Sequence, residues 1–284
     1  MYRFPIGVIT DSFRVGTREA IMKAAALGAD GIQMYAAGGE NSPENLNAHK
    51  RRELLDFTKA QGLKFSALCG DFGKGFTNRE LNPELIEKSK RILDLAKELE
   101  TDIVTTHIGA VPRDSGHERY KIMQEACFEL ASYADSIGSH FAIETGPETS
   151  AVLKGFLDGL HSTGVAVNLD PANLVMITGD DPVEAVYNLR DYIVHTHAKD
   201  GIMLKRVNPE YVYGGAKKPP HLKGVPIFDE VPLGSGAVDF TGYLMALEDI
   251  GYKGFLTIER EVGDDPSADI ATAKNHLLKI IEDN

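Results

Sequence analysis

Two spacings of apolar residues alternate along the whole chain. Short, strongly apolar runs bounded by turn residues carry the signature of buried strands. Each is followed by a longer stretch whose apolar positions recur every three or four residues, the spacing of an amphipathic helix. The pattern predicts strands at 6–11, 30–36, 63–70, 102–109, 139–145, 164–170, 191–199 and 254–260. It predicts helices at 17–27, 43–61, 83–99, 116–137, 149–160, 182–188, 239–250 and 267–282. Eight strand–helix pairs in 284 residues point to the α/β class and to a single (β/α)8 TIM barrel over 1–284. An open doubly wound sheet is the structural alternative. Ser42-Pro43-Glu44, Asn82-Pro83-Glu84, Asp181-Pro182 and Asp265-Pro266 read as helix starts. Gly28, Gly62, Gly138 and Gly251 read as helix ends ahead of the next strand. The segment at about 200–238, rich in Gly and Pro, breaks the rhythm and predicts a lid-like insertion between the seventh and eighth strands.

In a parallel barrel, alternate side chains of a strand face inward, and chemistry gathers at the strands' C-terminal ends. Where bulky apolar residues must face the helices, the polar residues of opposite parity point into the mouth. That rule turns Thr105 and His107 inward in the fourth strand, Glu144 in the fifth, Asn168 and Asp170 in the sixth, His195 and His197 in the seventh, and Thr257 and Glu259 in the eighth. Carboxylates and imidazoles converging with no balancing Lys or Arg would repel one another. A bound cation removes the repulsion and uses the same donor atoms. Glu144, Asp170, His197 and Glu259 form such a set, suited to one divalent ion: Mn²⁺, Mg²⁺, Co²⁺ or Zn²⁺. His195 lies two residues deeper than His197 and reads as a packed histidine behind the ligands. Asn168 reads as a buried hydrogen-bonding residue and Cys69 as a small core residue. His49, His117, His161 and His276 fall on helical surfaces, and His140 opens a strand at the far end of the barrel.

Composition narrows the partners. With 30 basic against 42 acidic residues the net charge is −12, which disfavours a nucleic-acid backbone. The basic clusters Lys50-Arg51-Arg52 and Lys217-Lys218 read as solvated surface. Cys69 and Cys127 are too few for a disulfide framework, and no run is apolar enough to span a bilayer. The start of the chain reads as a strand rather than a signal peptide. These features predict a cytoplasmic protein with no membrane partner, a small-molecule ligand and room for a homo-oligomer.

At "FAIETGPET", "VAVNLDPANL", "IVHTHAKD", "VPLGSGAVDF" and "GFLTIEREVG" the sequence resembles the xylose isomerase-like TIM barrel superfamily. That group holds sugar and sugar-phosphate isomerases and epimerases, inositol-catabolism enzymes and AP endonuclease family 2, including endonuclease IV. The resemblance implies that Glu144, Asp170, His197 and Glu259 hold the metal and that Glu144 and Glu259 serve as acid and base. It implies substrate contacts at His107, Asn173, Glu148 and Lys199, and makes Asp200 a candidate partner of His197. Asn173 stands where many relatives carry a histidine, which argues against the histidine-rich, multi-zinc nuclease site. The expected activity is a divalent-metal-dependent sugar or sugar-phosphate isomerase or epimerase working by proton transfer through an enediolate. An inosose-type dehydratase on the same site and an endonuclease IV-like nuclease are the alternatives. The glycine-rich "LGSG" at 233–236 is a candidate cradle of main-chain amides for a phosphate.

Overall fold

The computed structural model of the chain describes residues 2–213 and 215–284. Strands β1 (Ile6–Ile9), β2 (Gly31–Tyr35), β3 (Lys64–Cys69), β4 (Ile103–Thr106) and β5 (His140–Glu144) alternate with α1 (Thr17–Ala26), α2 (Ala48–Ala60), α3 (Asn82–Glu98) and α4 (Glu118–Ser136). Then follow α5 (Ser150–Asp158), β6 (Val165–Leu169), the short turn α6 (Pro171–Asn173), α7 (Pro182–Leu189) and β7 (Ile193–Ala198). A hairpin of β8 (Asp200–Met203) and β9 (Phe228–Val231) precedes α8 (Phe240–Asp249), β10 (Leu256–Ile258) and α9 (Pro266–Asp283). The barrel closes in the order β1-β10-β7-β6-β5-β4-β3-β2, with parallel pairing throughout, so the open-sheet alternative falls.

The two-sided burial of parallel strands explains why they read as near-continuous apolar runs. Ile32, Val104, Phe141, Ile143, Val165, Val167 and Leu256 are buried, as are Leu85, Ile92, Leu93 and Leu95 of α3. Each such side chain contributes about 1.5–3 kcal/mol by leaving water. Gly7 and Gly31 are small for a reason: a Cβ on either would strike Thr257 Oγ1 at 2.6 Å or the Phe255 ring at 2.5 Å. Those two positions leave room for Phe255 at the N-terminal end of the barrel.

Helix ends mostly follow the sequence, with two corrections. Asp181 and Asp265 do cap α7 and α9, accepting from Val183 N and Ala268 N. Helix α2, however, starts at Ala48 behind Asn47, whose side chain accepts from Lys50 N at 3.0 Å. Ser42-Pro43-Glu44 belongs to the preceding turn, where Pro43 O accepts from Arg51 Nη2. Asn82 lies inside α3 and donates to Phe76 O rather than capping the helix. Gly28, Gly62, Gly138 and Gly251 all have positive φ, as helix-ending glycines should.

The 200–238 segment is more ordered than its composition suggests. Asp200–Met203 pairs antiparallel with Phe228–Val231, and short 3₁₀ turns form at Pro209–Tyr211 and Pro220–Leu222. Arg260, just past β10, donates to Glu230 Oε1 at 2.7 Å and bolts the hairpin to the barrel. Both cysteines are free and buried. No described helix is long and apolar enough to cross a membrane.

Candidate metal centre

Register brings the four acidic and imidazole residues together. Thr257 lies beside His197 across β10 and β7, and Glu144 lies beside Asn168 across β5 and β6. Glu144 ends its strand, while Asp170 and Glu259 stand one residue past theirs, so all three sit at the C-terminal mouth. One ligand atom from each of Glu144, Asp170, His197 and Glu259 lies within 4.8 Å of the others, and all four residues are buried. His197 Nδ1 is the hub. It stands 3.1 Å from Glu259 Oε2, 3.4 Å from Asp170 Oδ2 and 3.6 Å from Glu144 Oε1.

These separations suit a cation. Donors placed about 2.0–2.2 Å from one ion stand about 3.0–3.5 Å from each other. Three carboxylates with one imidazole form a mixed oxygen and nitrogen donor set. His107 adds a second observation. Its Nδ1 is bonded to Asp71 Oδ2 at 3.1 Å, while its Nε2, 3.5 Å from Glu144 Oε1, is buried without a hydrogen-bond partner. A buried polar atom left unpaired beside an acidic cluster marks a place that a ligand completes.

Electrostatics at the centre are strongly coupled. Burial works against the charge on His197, but Glu259 and Glu144 lift its pKa well above the usual imidazole value. Burial likewise opposes ionisation of Glu259, which Lys199 and His197 overcome, holding its carboxyl well below the ordinary value. Glu144 is held down by His107 and His197 against the same burial, whereas burial dominates at Asp170 and raises it. His107 reaches about 9 because Glu144 and Asp71 outweigh its desolvation.

Sequence reasoning held that no Lys or Arg balances the carboxylates, and the structure corrects this. Lys199 is buried, with Nζ 3.2 Å from Glu259 Oε2 and 2.5 Å from Glu261 Oε2. What points to a cation is the hub geometry and the orphaned His107 nitrogen, not a lack of positive side chains.

Other residues find different neighbours. Asn173 donates to Glu144 Oε1 at 3.0 Å and to Thr145 O at 3.3 Å, so it steadies the glutamate. Asp170 accepts from Asn173 N at 2.8 Å, which ties α6 to the site. His195 lies below, joined to Asn168 Oδ1 at 2.9 Å and Thr257 Oγ1 at 3.0 Å. Burial and charged His197 push its pKa well down, so it stays neutral. Asn168 passes the contact upward by donating to Glu144 Oε2 at 3.1 Å. Glu148 is buried against Val111 N at 3.0 Å, and burial raises its pKa to about 8.

Asp200 is the clear departure. Its carboxylate accepts from the main-chain N–H groups of Gly201, Gly234, Gly236 and Val238. Expected beside His197, it instead takes the Gly234 and Gly236 amides of "LGSG", while Ser235 N donates to Pro232 O. The partner of His197 Nε2 is Gln33, whose Oε1 lies 3.1 Å away. Asn168 Nδ2 is 3.2 Å from the same nitrogen. The strand-parity rule, applied to β2 as it was to the later strands, places Gln33 and Tyr35 inward and would have found it.

Relatives agree with the fold. The family model described as xylose isomerase-like TIM barrel matches residues 21–280. No curated protein matches the chain. A xylose isomerase domain protein from Planctomyces limnophilus superposes with a TM-score of 0.80 at 25% identity, covering 99% of this chain and 97% of that one. A protein titled IOLI with a binding zinc atom gives 0.76 at 18% identity, covering 98% of each chain. A D-tagatose 3-epimerase-like protein gives 0.75 at 18% identity, covering 98% and 97%. By sequence over most of its length, this chain belongs to the xylose isomerase-like TIM barrel family.

Proposed function

We propose that the protein is a divalent-metal-dependent isomerase or epimerase of a small sugar, sugar phosphate or related polyol. The observation that carries this reading is the convergence of Glu144 and Glu259 on His197 Nδ1 from strands on different sides of the mouth. Glu144, Asp170, His197 and Glu259 would hold the ion, which when bound supplies polarisation of a carbonyl and a more acidic neighbouring C–H.

The protein's own groups do the rest. Lys199 keeps Glu259 ionised, the state that accepts a proton from carbon. Asn173 and Asn168 fix the two oxygens of Glu144. Charged His107 offers its free Nε2–H to a substrate oxygen beside Glu144. Return of the proton to the adjacent carbon gives isomerisation; delivery to the opposite face by Glu144, after charged His107 passes it a proton and while Glu259 loses its own to solvent, gives epimerisation. The same base with His107 as the acid would expel a β-hydroxyl, which is the dehydratase alternative.

The test is a screen of ketoses and inososes with added Mn²⁺, followed by NMR for deuterium entering carbon from heavy water. Uptake at the carbon next to the carbonyl, abolished by Glu259→Gln with the fold intact, is the expected result. Full exchange in that variant would refute the assigned base.

A further inference from the structure

In the stretch that joins β8 to β9, Tyr213 packs beside the metal centre. Its ring tilts over that of His107, with centroids 5.5 Å apart and planes at 36°. Its hydroxyl lies against Gly146, two residues after Glu144. Gly146 has φ +148°, and a Cβ there would stand 2.6 Å from Tyr213 Oη and 2.8 Å from Asn173 Cβ. The glycine therefore answers two demands: a backbone angle that side chains resist, and a seat for the phenol. Asn173 is also the residue that holds Glu144 Oε1, so the phenol oxygen rests on the segment that positions the glutamate.

The loop around Tyr213 is fixed rather than draped. Arg119 of α4 donates to Glu210 and, at 3.3 Å, to Gly215 O. Tyr213 N donates to Pro209 O at 3.2 Å, and Ala216 N to Glu210 O at 3.1 Å. The hydroxyls of Tyr192, Tyr243 and Tyr252 donate to Asp158, Leu169 O and Phe255 O, whereas that of Tyr213 finds no acceptor among the described residues. Burial, with Glu144 next, holds the phenol protonated. Beside it lies a cavity of about 560 Å³ lined by His107, Tyr213, Asp71, Lys74 and Arg119. That volume is in the range of sites for single small molecules, and its lining offers hydrogen-bond donors and acceptors.

We propose that Tyr213 is a specificity-determining residue: its ring walls the cavity beside His107 for one hydroxyl-rich molecule, and its hydroxyl donates to an oxygen of that molecule. The inference rests on the function proposed above and adds a residue that reads one hydroxyl of the bound molecule.

The experiment uses the full chain loaded with Mn²⁺, with D-fructose, D-tagatose and scyllo-inosose as probes. Calorimetry gives the Mn²⁺ affinity, and saturation-transfer NMR gives the dissociation constant of each probe. Tyr213→Phe keeps the ring and is expected to weaken binding of the monosaccharide-sized probes about tenfold, the worth of one hydrogen bond, with Mn²⁺ affinity unchanged. Tyr213→Ala, which removes the ring as well, is expected to weaken that binding further. If the wild type binds Mn²⁺ and the small probes, and Tyr213→Phe binds them equally well, this inference is overturned and the metal-dependent reading survives. If the wild type binds Mn²⁺ but none of the probes, the proposed ligand class is wrong. If it retains no Mn²⁺, both readings fail.

Discussion

Gln33 Oε1 lies 3.1 Å from His197 Nε2, on the edge of the imidazole remote from the carboxylate-facing Nδ1. Gln33 Nε2 donates to Thr105 Oγ1 at 3.2 Å, which fixes the amide with its oxygen toward the ring. With an ion bound, the ring would keep its proton on Nε2, toward Gln33, and turn the Nδ1 lone pair to the metal. Loss of such an outer partner typically weakens metal binding 10–100-fold. Gln33→Leu is expected to lower Mn²⁺ affinity by about that factor with the circular dichroism unchanged, as read by calorimetry. Wild-type affinity in the variant would remove Gln33 from the centre.

Asp170 has two jobs, and one substitution separates them. Its Oδ1 accepts from Asn173 N at 2.8 Å, while its Oδ2 faces His197 Nδ1 at 3.4 Å. Asp170→Asn can keep the first contact and loses the charge. The variant is expected to fold normally and to lose more Mn²⁺ affinity than Gln33→Leu does. Equal Mn²⁺ binding by Asp170→Asn and wild type would contradict its place among the ligands.

Asp200 predicts stability rather than metal binding. It is buried and accepts four main-chain N–H bonds around the 233–238 turn. Asp200→Ala strands those donors and is expected to destabilise the protein by about 2–4 kcal/mol in urea unfolding. Asp200→Asn should lose less, because the amide oxygen still accepts. An alanine variant as stable as the wild type would show that the turn is held by other means.

Glu148 predicts a pH dependence of known sign. Burial raises its pKa from about 4.5 to about 8. Between those values the folded protein holds a proton that the unfolded chain releases, so stability falls as pH rises through the window. Below pH 4.5 the protonated side chain contributes fully; above pH 8 that contribution is lost. Glu148→Gln keeps an acceptor for Val111 N and cannot ionise. Its melting temperature relative to wild type is expected to climb from pH 5 to pH 8. A constant difference across that range would mean that Glu148 titrates normally.

The sequence carried much of the fold because a parallel barrel repeats one unit. Its apolar strands, its helical spacing and glycines such as Gly28 and Gly138 each mark a boundary independently. The four centre residues were legible because inward parity survives across β5, β6, β7 and β10, where bulky residues such as Ile143 and Val167 settle which side faces the helices. What escaped depends on contacts distant in sequence. Lys199 reads as one cation in "HAKD" until the barrel sets it against Glu259. Asp200 reads as the neighbour of a histidine until the hairpin carries Gly234 and Gly236 over it. Tyr213 reads as loop composition, because nothing local ties residue 213 to His107 or Gly146.

Phe255, set between Gly7 and Gly31, shapes what can happen at the opposite end. Above it the interior is occupied by Ser66, Thr257 and His195, which bond to one another across the axis. Traffic is consequently one-ended: whatever reaches the carboxylates comes in past the loops at the strands' C-terminal ends and must back out by the same route. Arrival and departure of any ligand would then share a single doorway, so crowding of the loops there would slow both directions together.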